Sequence, residues 1–375
     1  MLVKKHSLAL IAAIKKKISQ HGSISFAEFM HMALYEPTLG YYSSGFFKFG
    51  KAGDFITAPL LGNLFAKMLA RQFQQILSHL SHAVIFELGA GTGQFCFDVL
   101  LQLEQLDALP EKYLILEVSA DLQQRQQQKI QQLPSHLAKL VSWQSEVPQN
   151  KFNGIIFANE VVDALAVEAF CFRNNKYQQL RVAWSDAFTT HWQDFEPLLE
   201  AQLLAKNLSL SDGYESEFIP HLSSWLQTVT ENLQKGVVLM IDYGYERNSY
   251  YHPQRNQGTR VCYHKHQANF NYFDNVGQQD ITAFVDFTAL AEAADSCGLS
   301  VDGYTSQAHF LLALGINELL GDCENDFENY YKKTTEMKKL TMPNEMGEKF
   351  KVIAFSRNFE PVLDGFDFSN HLHLL

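Results

Sequence analysis

The chain has 375 residues, of which 46% are hydrophobic and 19% are charged, a composition that supports a folded core and argues against a disordered protein. Its 30 basic and 41 acidic residues give a formal net charge of −11, which disfavours a protein that binds nucleic acid over its whole surface. Five widely spaced cysteines without a CxxC pair favour a reducing compartment. No apolar run reaches the roughly 18–20 residues that a membrane-spanning helix needs.

The predicted elements begin with helices and loops over residues 1–80, where Leu8, Ile11, Ile14 and Ile18 have the spacing of an amphipathic helix. Beyond them, short apolar runs alternate with helical patterns. The predicted strands cover residues 82–88, 113–118, 140–143, 152–158 and 237–241, with two more near 299–304 and 351–356. The predicted helices cover residues 95–106, 121–133, 310–320 and 329–339. This alternation indicates an α/β fold with a doubly wound, mostly parallel sheet.

Two stretches depart from the regular alternation. Residues 123–132 are rich in glutamine, and Leu122, Ile130 and Leu133 give them one apolar edge, which predicts a solvated helix packed along that edge. Residues 245–287 have weak periodicity and many polar and aromatic side chains, and they are expected to form loops over the sheet, where such folds place binding residues.

The sequence FELGAGTGQF, residues 86–95, joins a predicted strand to a predicted helix and is the most informative sign of a ligand site. Gly89, Gly91 and Gly93 permit a tight turn and a close approach of a ligand to the backbone. A dinucleotide-binding loop needs a small residue at the position of Gln94, and no GxxxxGK[ST] sequence is present. Dinucleotide and P-loop sites are therefore disfavoured.

Two acidic residues at the ends of predicted strands narrow the choice of ligand. Glu87 would repel a pyrophosphate, whereas a carboxylate suits the ammonium and sulfonium groups of S-adenosylmethionine. Glu117 ends the next predicted strand, 28 residues after Gly89, where a carboxylate would hold two ribose hydroxyls. The sequence therefore predicts S-adenosylmethionine as the cofactor.

The fourth predicted strand is followed by Asn159, Glu160 and Asp163 in the sequence FANEVVDAL. The carboxyl ends of parallel strands converge on the ligand crevice of a doubly wound sheet, which would bring these residues near the methyl donor. Alternatively, Asn159 caps a following helix, and Glu160 and Asp163 offset its dipole. The sequence leaves both roles open.

Six sequences, in this order along the chain, resemble the MidA family of class I S-adenosylmethionine-dependent methyltransferases over residues 11–315. They are GYYSSGFFKFGKAGDFITAP (40–59), FELGAGTG (86–93), FANEVVDALAVEAF (157–170), LMIDYGY (239–245), GTRVCYHKH (258–266) and DITAFVDF (280–287). The mitochondrial members of that family methylate an arginine on a subunit of respiratory complex I during assembly. The resemblance implies a seven-stranded, Rossmann-like methyltransferase sheet and a protein arginine as the methyl acceptor.

With this resemblance, residues 1–80 are expected to form an N-terminal cap, 81–170 and 236–356 the methyltransferase core, 171–235 and 245–290 substrate-side insertions, and 357–375 a C-terminal tail. The implied cofactor-binding residues are Gly53, Asp54, Phe55, Thr57, Glu87, Gly89, Gly91, Gly93, Glu117, Asn159 and Glu160. Glu168, His266 and Asp280 fall on the substrate side. Glu168 and Phe284 depart there from residues that relatives often carry.

A guanidinium acceptor has a pKa above 12, so its outright deprotonation is costly. Carboxylates that accept its N–H groups would instead turn one nitrogen toward the methyl group. Glu160 and Asp163, spaced one helical turn apart, are the predicted catalytic carboxylates, with Asp286 or Glu168 as a third member. Cys262, His264 and His266 alternate along one predicted strand, but packing or contact with the acceptor is expected there rather than a metal.

Two other functions remain compatible with the sequence: an assembly factor that binds S-adenosylmethionine without catalysis and, disfavoured by Glu87 and Gln94, an NAD-dependent oxidoreductase. The expected partner is a protein acceptor, such as a respiratory-complex subunit, rather than nucleic acid or a membrane. The family-like region starts almost at Met1, where the mitochondrial relatives need a transit peptide, so we expect a bacterial cytoplasmic protein. The acceptor's identity and the oligomeric state are left open.

Overall fold

The computed structural model describes residues 2–44, 57–323 and 326–375. Its helices, numbered in chain order, are α1 (Leu2–His21), α2 (Phe26–Tyr35), α3 (Leu64–Ser78), α4 (Gln94–Gln105), α5 (Ala120–Ile130), α6 (Ser135–Ala138), α7 (Pro197–Ala205), α8 (Leu222–Thr230), α9 (Arg247–Tyr250), α10 (Phe287–Ser296), α11 (Gln307–Ala313) and α12 (Phe327–Thr341). Its strands are β1 (Ile24–Ser25), β2 (Val84–Leu88), β3 (Lys112–Leu116), β4 (Val141–Gln144), β5 (Phe152–Asn159), β6 (Glu168–Arg173), β7 (Lys176–Trp184), β8 (Phe188–Asp194), β9 (Tyr214–Phe218), β10 (Leu233–Tyr245), β11 (Val261–His264), β12 (Gln267–Asn269), β13 (Asp280–Thr282), β14 (Val285–Asp286), β15 (Ser300–Ser306) and β16 (Phe350–Arg357).

The chain divides into two units, and each has its own hydrophobic core. The first unit comprises Met1–Phe55, Asp163–Leu222 and Tyr245–Asp286, and the second comprises Ile56–Val162, Ser223–Gly244 and Phe287–Leu375. The chain passes between the units several times, so neither is one continuous segment. In the ranges that the structure describes, no helix is both long and apolar enough to cross a membrane.

The second unit contains a mixed sheet built from short, mostly buried strands that alternate with helices. The hydrogen-bonded order is β15-β16-β10-β5-β2-β3-β4. Neighbours from β10 to β4 are parallel, whereas β16 is antiparallel to both β10 and β15. This confirms the predicted α/β fold with a mostly parallel sheet.

Helix α4 packs on this sheet through residues spaced three and four apart, namely Phe95, Cys96, Val99, Leu100 and Leu103. The ring of Phe95 stacks on that of Phe157 in β5, with 4.5 Å between the ring centroids. Because Phe95 lies in the first turn of α4, this contact holds the loop between β2 and α4 against the middle of the sheet.

Two elements of the second unit differ from their predicted bounds. Strand β10 runs from Leu233 to Tyr245, longer than the predicted 237–241, because it pairs with β5 on one side and β16 on the other. The helix predicted over 310–320 is α11 followed by a separate 3-10 segment, Ile316–Cys323. They separate at Gly315, whose φ of +81° lies in the left-handed region that ends helices.

The first unit contains antiparallel sheets that the sequence did not predict. One has the order β1-β7-β6-β9 with β8 paired to β7, and the other has the order β12-β11-β13. Most residues of β8 are exposed, so this strand lacks the alternation of buried and exposed positions that marks a strand in a sequence.

Helix α1 forms where the sequence predicts an amphipathic helix, but its buried face differs from the prediction. Leu10, Ile14 and Ile18 are buried in the core of the first unit, whereas Leu8 is 64% exposed. Helix α2 begins with a capping box, in which the Ser25 hydroxyl accepts from the N–H of Glu28 and the Glu28 carboxylate accepts from the N–H of Ser25.

Candidate functional site

The glycine loop joins β2 to α4 in the second unit, as the sequence predicts. Gly89, Gly91 and Gly93 have φ angles of +64°, +52° and +78°, in the left-handed region that favours glycine. A Cβ on Gly89 would lie 3.0 Å from Cγ2 of Val161, and one on Gly93 would lie 3.2 Å from Cα of Gln126. Side chains here would strain and crowd the turn, so the loop presents bare backbone.

Glu87 lies in β2, two residues before the first glycine of this loop, and its carboxyl group is hydrogen-bonded to the neighbouring strand β3. Its side chain is buried, and its Oε2 accepts a hydrogen bond of 2.8 Å from the hydroxyl of Tyr113 in β3. Burial raises the pKa of Glu87 to about 8, although the hydrogen bond from Tyr113 favours the ionised form. This environment therefore favours the protonated form over the ionised carboxylate that the sequence argument assumed.

Glu117 follows β3 and is held by hydrogen bonds that the sequence did not predict. Its Oε1 accepts from the N–H of Ser119 at 2.8 Å, and its Oε2 accepts from Nε2 of Gln126 at 2.9 Å. Gln126 is fully buried in α5, and its Nε2 also donates to the carbonyl oxygen of Gly91 at 3.0 Å. One side-chain amide therefore links the glycine loop to the predicted ribose-binding carboxylate.

Asn159 ends β5, and Glu160 begins a turn rather than a helix. Residues 160–167 contain turns and bends, and the chain then enters β6. The predictions that Asn159 caps a helix and that Glu160 and Asp163 lie one helical turn apart are therefore wrong. The φ of Glu160 is +54°, and its N–H donates to the carbonyl oxygen of Ile241 at 2.9 Å, so a contact with β10 turns the chain here.

Asp242 in β10 holds this turn through its carboxylate. Its Oδ2 accepts from the N–H groups of Val161 and Val162 at 3.2 and 3.0 Å, and its Oδ1 accepts from the N–H of Tyr243 at 2.9 Å. The residue is fully buried. The acidic residue of the LMIDYGY sequence thus fixes the backbone that follows Asn159.

The side-chain amide of Asn159 has one polar atom that the described residues leave unsatisfied. Its Nδ2 donates to Oε1 of Glu160 at 3.0 Å, whereas its Oδ1 is buried and has no hydrogen-bond partner among the described residues. Buried acceptors are nearly always paired, so this oxygen indicates a donor from a ligand or from water. Its place at the carboxyl end of β5 fits a cofactor crevice.

Three predicted cofactor residues, Gly53, Asp54 and Phe55, lie outside the described residues. Thr57 is described, and it directly precedes a short 3-10 segment, Ala58–Leu60, without a side-chain capping hydrogen bond. The predicted binding of the cofactor by Gly53, Asp54, Phe55 and Thr57 stays a prediction.

The first unit contains a cluster of half-buried tyrosines around the buried carboxylates of Asp163 and Asp280. The Tyr42 hydroxyl donates to Oδ2 of Asp280 at 2.8 Å, and the rings of Tyr35 and Tyr42 stack with centroids 5.5 Å apart. Burial, together with the negative charges of Asp280 and Asp163, raises the pKa values of Tyr35, Tyr42 and Tyr263. Carboxylates among aromatic rings make a site that suits a cation.

Asp286, predicted as a third catalytic carboxylate, is compensated by basic side chains of its own unit. Its Oδ2 lies 3.2 Å from Nζ of Lys206 and 3.6 Å from Nε of Arg247, and all three side chains are mostly buried. These two ion pairs favour a structural role over the binding of another cation.

Glu168 and His266, predicted on the substrate side, lie in different surroundings. Glu168 is buried in β6, where its Oε2 accepts from Nε2 of Gln179 at 2.9 Å, and burial raises its pKa. His266 is exposed at the turn between β11 and β12, with a φ of +61°. Neither residue belongs to the contacts described around Asp163 and Asp280.

The alternating residues Cys262, His264 and His266 do not share one environment. Cys262 is fully buried, and Nδ1 of His264 is hydrogen-bonded to the carbonyl oxygen of Gln278 at 2.8 Å. Over the ranges that the structure describes, no group of three or more histidine, cysteine, aspartate or glutamate side chains could hold a metal ion.

Similarity to known proteins bears directly on this site. Residues 68–305 match the family described as "Putative S-adenosyl-L-methionine-dependent methyltransferase". The chain belongs to this family. A protein from Burkholderia thailandensis, crystallised with S-adenosyl-homocysteine bound, is 36% identical and has a TM-score of 0.95, over 100% of this chain and 98% of that one. The predicted cofactor, S-adenosylmethionine, is confirmed.

Curated relatives extend the similarity along the chain. The mitochondrial protein arginine methyltransferase NDUFAF7 homolog of Drosophila melanogaster is 26% identical over 384 residues, which cover 92% of this chain and 84% of the relative. The human protein arginine methyltransferase NDUFAF7 is 24% identical over 381 residues, covering 90% of this chain and 81% of the relative. These relatives confirm the resemblance drawn from the six sequences. The family match and the bound S-adenosyl-homocysteine of the Burkholderia protein show that this methyltransferase depends on S-adenosylmethionine rather than NAD.

Sequence reasoning missed several residues that shape the site. Gln126 was detectable, because it lies four residues from both Leu122 and Ile130 and so falls on the buried edge of α5. Asp242 lies in LMIDYGY, one of the six sequences that carry the resemblance, but nothing in that sequence indicates that its carboxylate holds the turn after β5. Tyr42 also lies in one of the six sequences, yet neither Tyr42 nor Tyr35 gave a local signal of the contact with the carboxylates, because that contact depends on residues far away in the sequence.

Proposed function

We propose that this methyltransferase transfers the methyl group to an arginine side chain of a protein. The observation that carries the proposal is the cluster that the buried carboxylates of Asp163 and Asp280 form with the half-buried rings of Tyr35 and Tyr42 in the first unit. The printed names of the NDUFAF7 relatives support it. We also propose that the methyltransferase sheet has seven strands. The order β15-β16-β10-β5-β2-β3-β4 in the second unit supports this number.

The chemistry of the cluster matches a guanidinium better than an ammonium. A guanidinium is planar, donates through five N–H groups and packs its faces on aromatic rings. Asp163 and Asp280 supply acceptors for those N–H groups, and the stacked rings of Tyr35 and Tyr42 supply flat surfaces. The Tyr42 hydroxyl restricts the rotation of the Asp280 carboxylate, so that its acceptor directions are set before the acceptor binds.

The cofactor is proposed to lie against residues of the second unit. The bare backbone of Gly89 and Gly91, the carboxylate of Glu117 and the unsatisfied Oδ1 of Asn159 provide the contacts that an amino acid and a ribose need. Bound there, S-adenosylmethionine supplies an electrophilic methyl group on a sulfonium. Glu160, which follows Asn159, is proposed to lie beside that group.

The protein's own contribution is mainly alignment. Asp163 and Asp280 hold the guanidinium so that one nitrogen keeps a fixed direction. As that nitrogen bonds to the methyl carbon, the carbon–sulfur bond breaks and its electron pair stays on sulfur, while the nitrogen loses one proton to a carboxylate of the cluster. The acceptor stays cationic throughout, so no costly deprotonation comes first.

The test is transfer of an isotopically labelled methyl group from S-adenosylmethionine to extract proteins from cells that lack this gene. We expect mass spectrometry to place the label on arginine. Label on another residue type would contradict the acceptor assignment. Tight binding of S-adenosylhomocysteine without any transfer would instead favour an assembly factor without catalysis.

Variants test the cluster with the acceptor so identified. Asp163→Asn and Asp280→Asn should each lower kcat by roughly a hundredfold, because misoriented acceptors lose transition-state alignment. Their affinity for S-adenosylhomocysteine should stay within twofold of the wild type. Asp186→Asn is the matched control, because Asp186 is an exposed aspartate of the same unit. Unchanged kcat in both cluster variants would refute the assignment.

A further inference from the structure

We propose that Gln126 is a positioning residue for the cofactor, acting through the carboxylate of Glu117. The inference rests on the proposed ribose role of Glu117 and is independent of the acceptor. Gln126 lies in a stretch that the sequence suggests is a solvated, glutamine-rich helix, yet its side chain is fully buried. A buried side-chain amide is costly unless its hydrogen bonds are made, so its partners are informative.

The orientation of the Gln126 amide is determined by its partner in β4. Nε1 of Trp143 lies 2.9 Å from Oε1 of Gln126, and an indole N–H can only donate. The oxygen must therefore face Trp143. The NH2 group then faces two acceptors, the carbonyl oxygen of Gly91 at 3.0 Å and Oε2 of Glu117 at 2.9 Å.

This arrangement explains why the position holds glutamine rather than glutamate. A glutamate would place a third set of oxygen lone pairs against the Gly91 carbonyl and the Glu117 carboxylate, neither of which can donate. A hydrocarbon side chain would fill the space but leave both acceptors and the Trp143 N–H without this partner. Glutamine supplies two donors and one acceptor in the required directions.

The consequence for the cofactor lies in the direction of the Glu117 lone pairs. The N–H of Ser119 engages one carboxylate oxygen and Gln126 engages the other, so the carboxylate cannot rotate. The direction in which the carboxylate faces is therefore fixed, on a side chain that is only half buried. The Gln126 amide also bonds to the carbonyl oxygen of Gly91, so it fixes the distance between the Glu117 carboxylate and the glycine loop.

The test compares two ligands, S-adenosylhomocysteine and its analogue lacking both ribose hydroxyls, by calorimetry at one pH. In the wild type, removing the hydroxyls should weaken binding on the order of a hundredfold, because two hydrogen bonds to a charged group are lost. In Gln126→Met, of similar volume, S-adenosylhomocysteine should bind about tenfold more weakly and the analogue almost unchanged. Gln126→Glu should show a larger loss for the parent ligand.

Gln128→Met is the matched control, because Gln128 is an exposed glutamine of the same helix, and its ligand ratio should equal that of the wild type. Equal weakening of both ligands in Gln126→Met and Gln126→Glu would show a merely structural role and overturn the proposal. Glu117→Gln distinguishes the proposed ribose role of Glu117 from the proposed positioning role of Gln126. If that variant keeps the full hydroxyl preference, the ribose assignment itself fails. If it loses the preference while the Gln126 variants keep it, only the positioning role fails.

Discussion

At the scale of single residues, Glu87 shows how burial can reverse an argument made from charge. In the sequence, a glutamate before a glycine loop indicates a negatively charged group that would select a cationic ligand. In the folded chain, desolvation outweighs the hydrogen bond from Tyr113, and the pKa of Glu87 rises from its ordinary value of 4.5 to about 8. The confirmed cofactor is thus compatible with a Glu87 that is neutral before the ligand binds.

This raised pKa predicts a pH dependence of stability that Glu87→Gln removes. The folded state binds the Glu87 proton more tightly than the unfolded state, so the stabilisation is complete below about pH 4.5 and is lost as the pH rises through about 8. Across that window the free energy of unfolding of the wild type should fall, relative to Glu87→Gln, by about 1.4 kcal/mol per pH unit. Urea unfolding of both proteins between pH 5 and 9 measures the difference.

Other buried acids titrate in both proteins and cancel in this comparison. Glu336, whose pKa burial raises to about 6, is the clearest of them. Stability curves that stay parallel from pH 5 to 9 would mean that Glu87 is ionised in the folded chain throughout, contrary to its burial.

At the scale of elements, the strands of the second unit were predictable because parallel strands buried on both faces are continuously apolar. The glycine loop and Glu117 could be located for the same reason, since they follow such strands directly. The exposed strand β8 could not be located, because exposed positions carry no pattern. The turn after Asn159 could not be located either, because the left-handed Glu160 depends on the hydrogen bond from its N–H to the carbonyl oxygen of Ile241 in β10, about 80 residues away in the sequence.

The turn after β5 predicts a specific cost for Asp242→Asn. Asparagine keeps one side-chain oxygen, but its NH2 group would face an N–H of Val161, Val162 or Tyr243, leaving at least one buried donor without an acceptor. We expect the free energy of unfolding to fall by roughly 2 kcal/mol, and affinity for S-adenosylhomocysteine to fall severalfold as Asn159 shifts. Urea unfolding and calorimetry measure the two effects.

Asp367→Asn, at an exposed aspartate of the same unit, is the control for the loss of one negative charge, and both quantities should stay at their wild-type values. If the free energies of unfolding of Asp242→Asn and of this control differ by less than about 0.5 kcal/mol, the usual range for surface substitutions, the Asp242 contacts are energetically unimportant.

At the scale of the whole molecule, the division into two units separates the proposed roles. The residues proposed to bind the cofactor, from Glu87 to Glu160, belong to the second unit, whereas Asp163 and Asp280 belong to the first. Each unit has its own hydrophobic core and its own sheets. Local opening of one unit therefore need not open the other.

This separation predicts a localised effect of S-adenosylhomocysteine on hydrogen exchange. A ligand at a hundred times its Kd stabilises the bound state by about 2.7 kcal/mol, which slows local opening roughly a hundredfold. Amides of the glycine loop, residues 116–126 and residues 159–162 should show this slowing, while those of β6 to β9 should exchange as in the ligand's absence. In Gly91→Val, the branched side chain would strain the left-handed backbone and block the ligand's approach. The slowing of exchange that the ligand causes should therefore vanish in this variant, with little loss of secondary structure. Protection centred on β6 to β9 instead would move the cofactor out of the second unit and remove the basis for the roles assigned to Glu117 and Asn159.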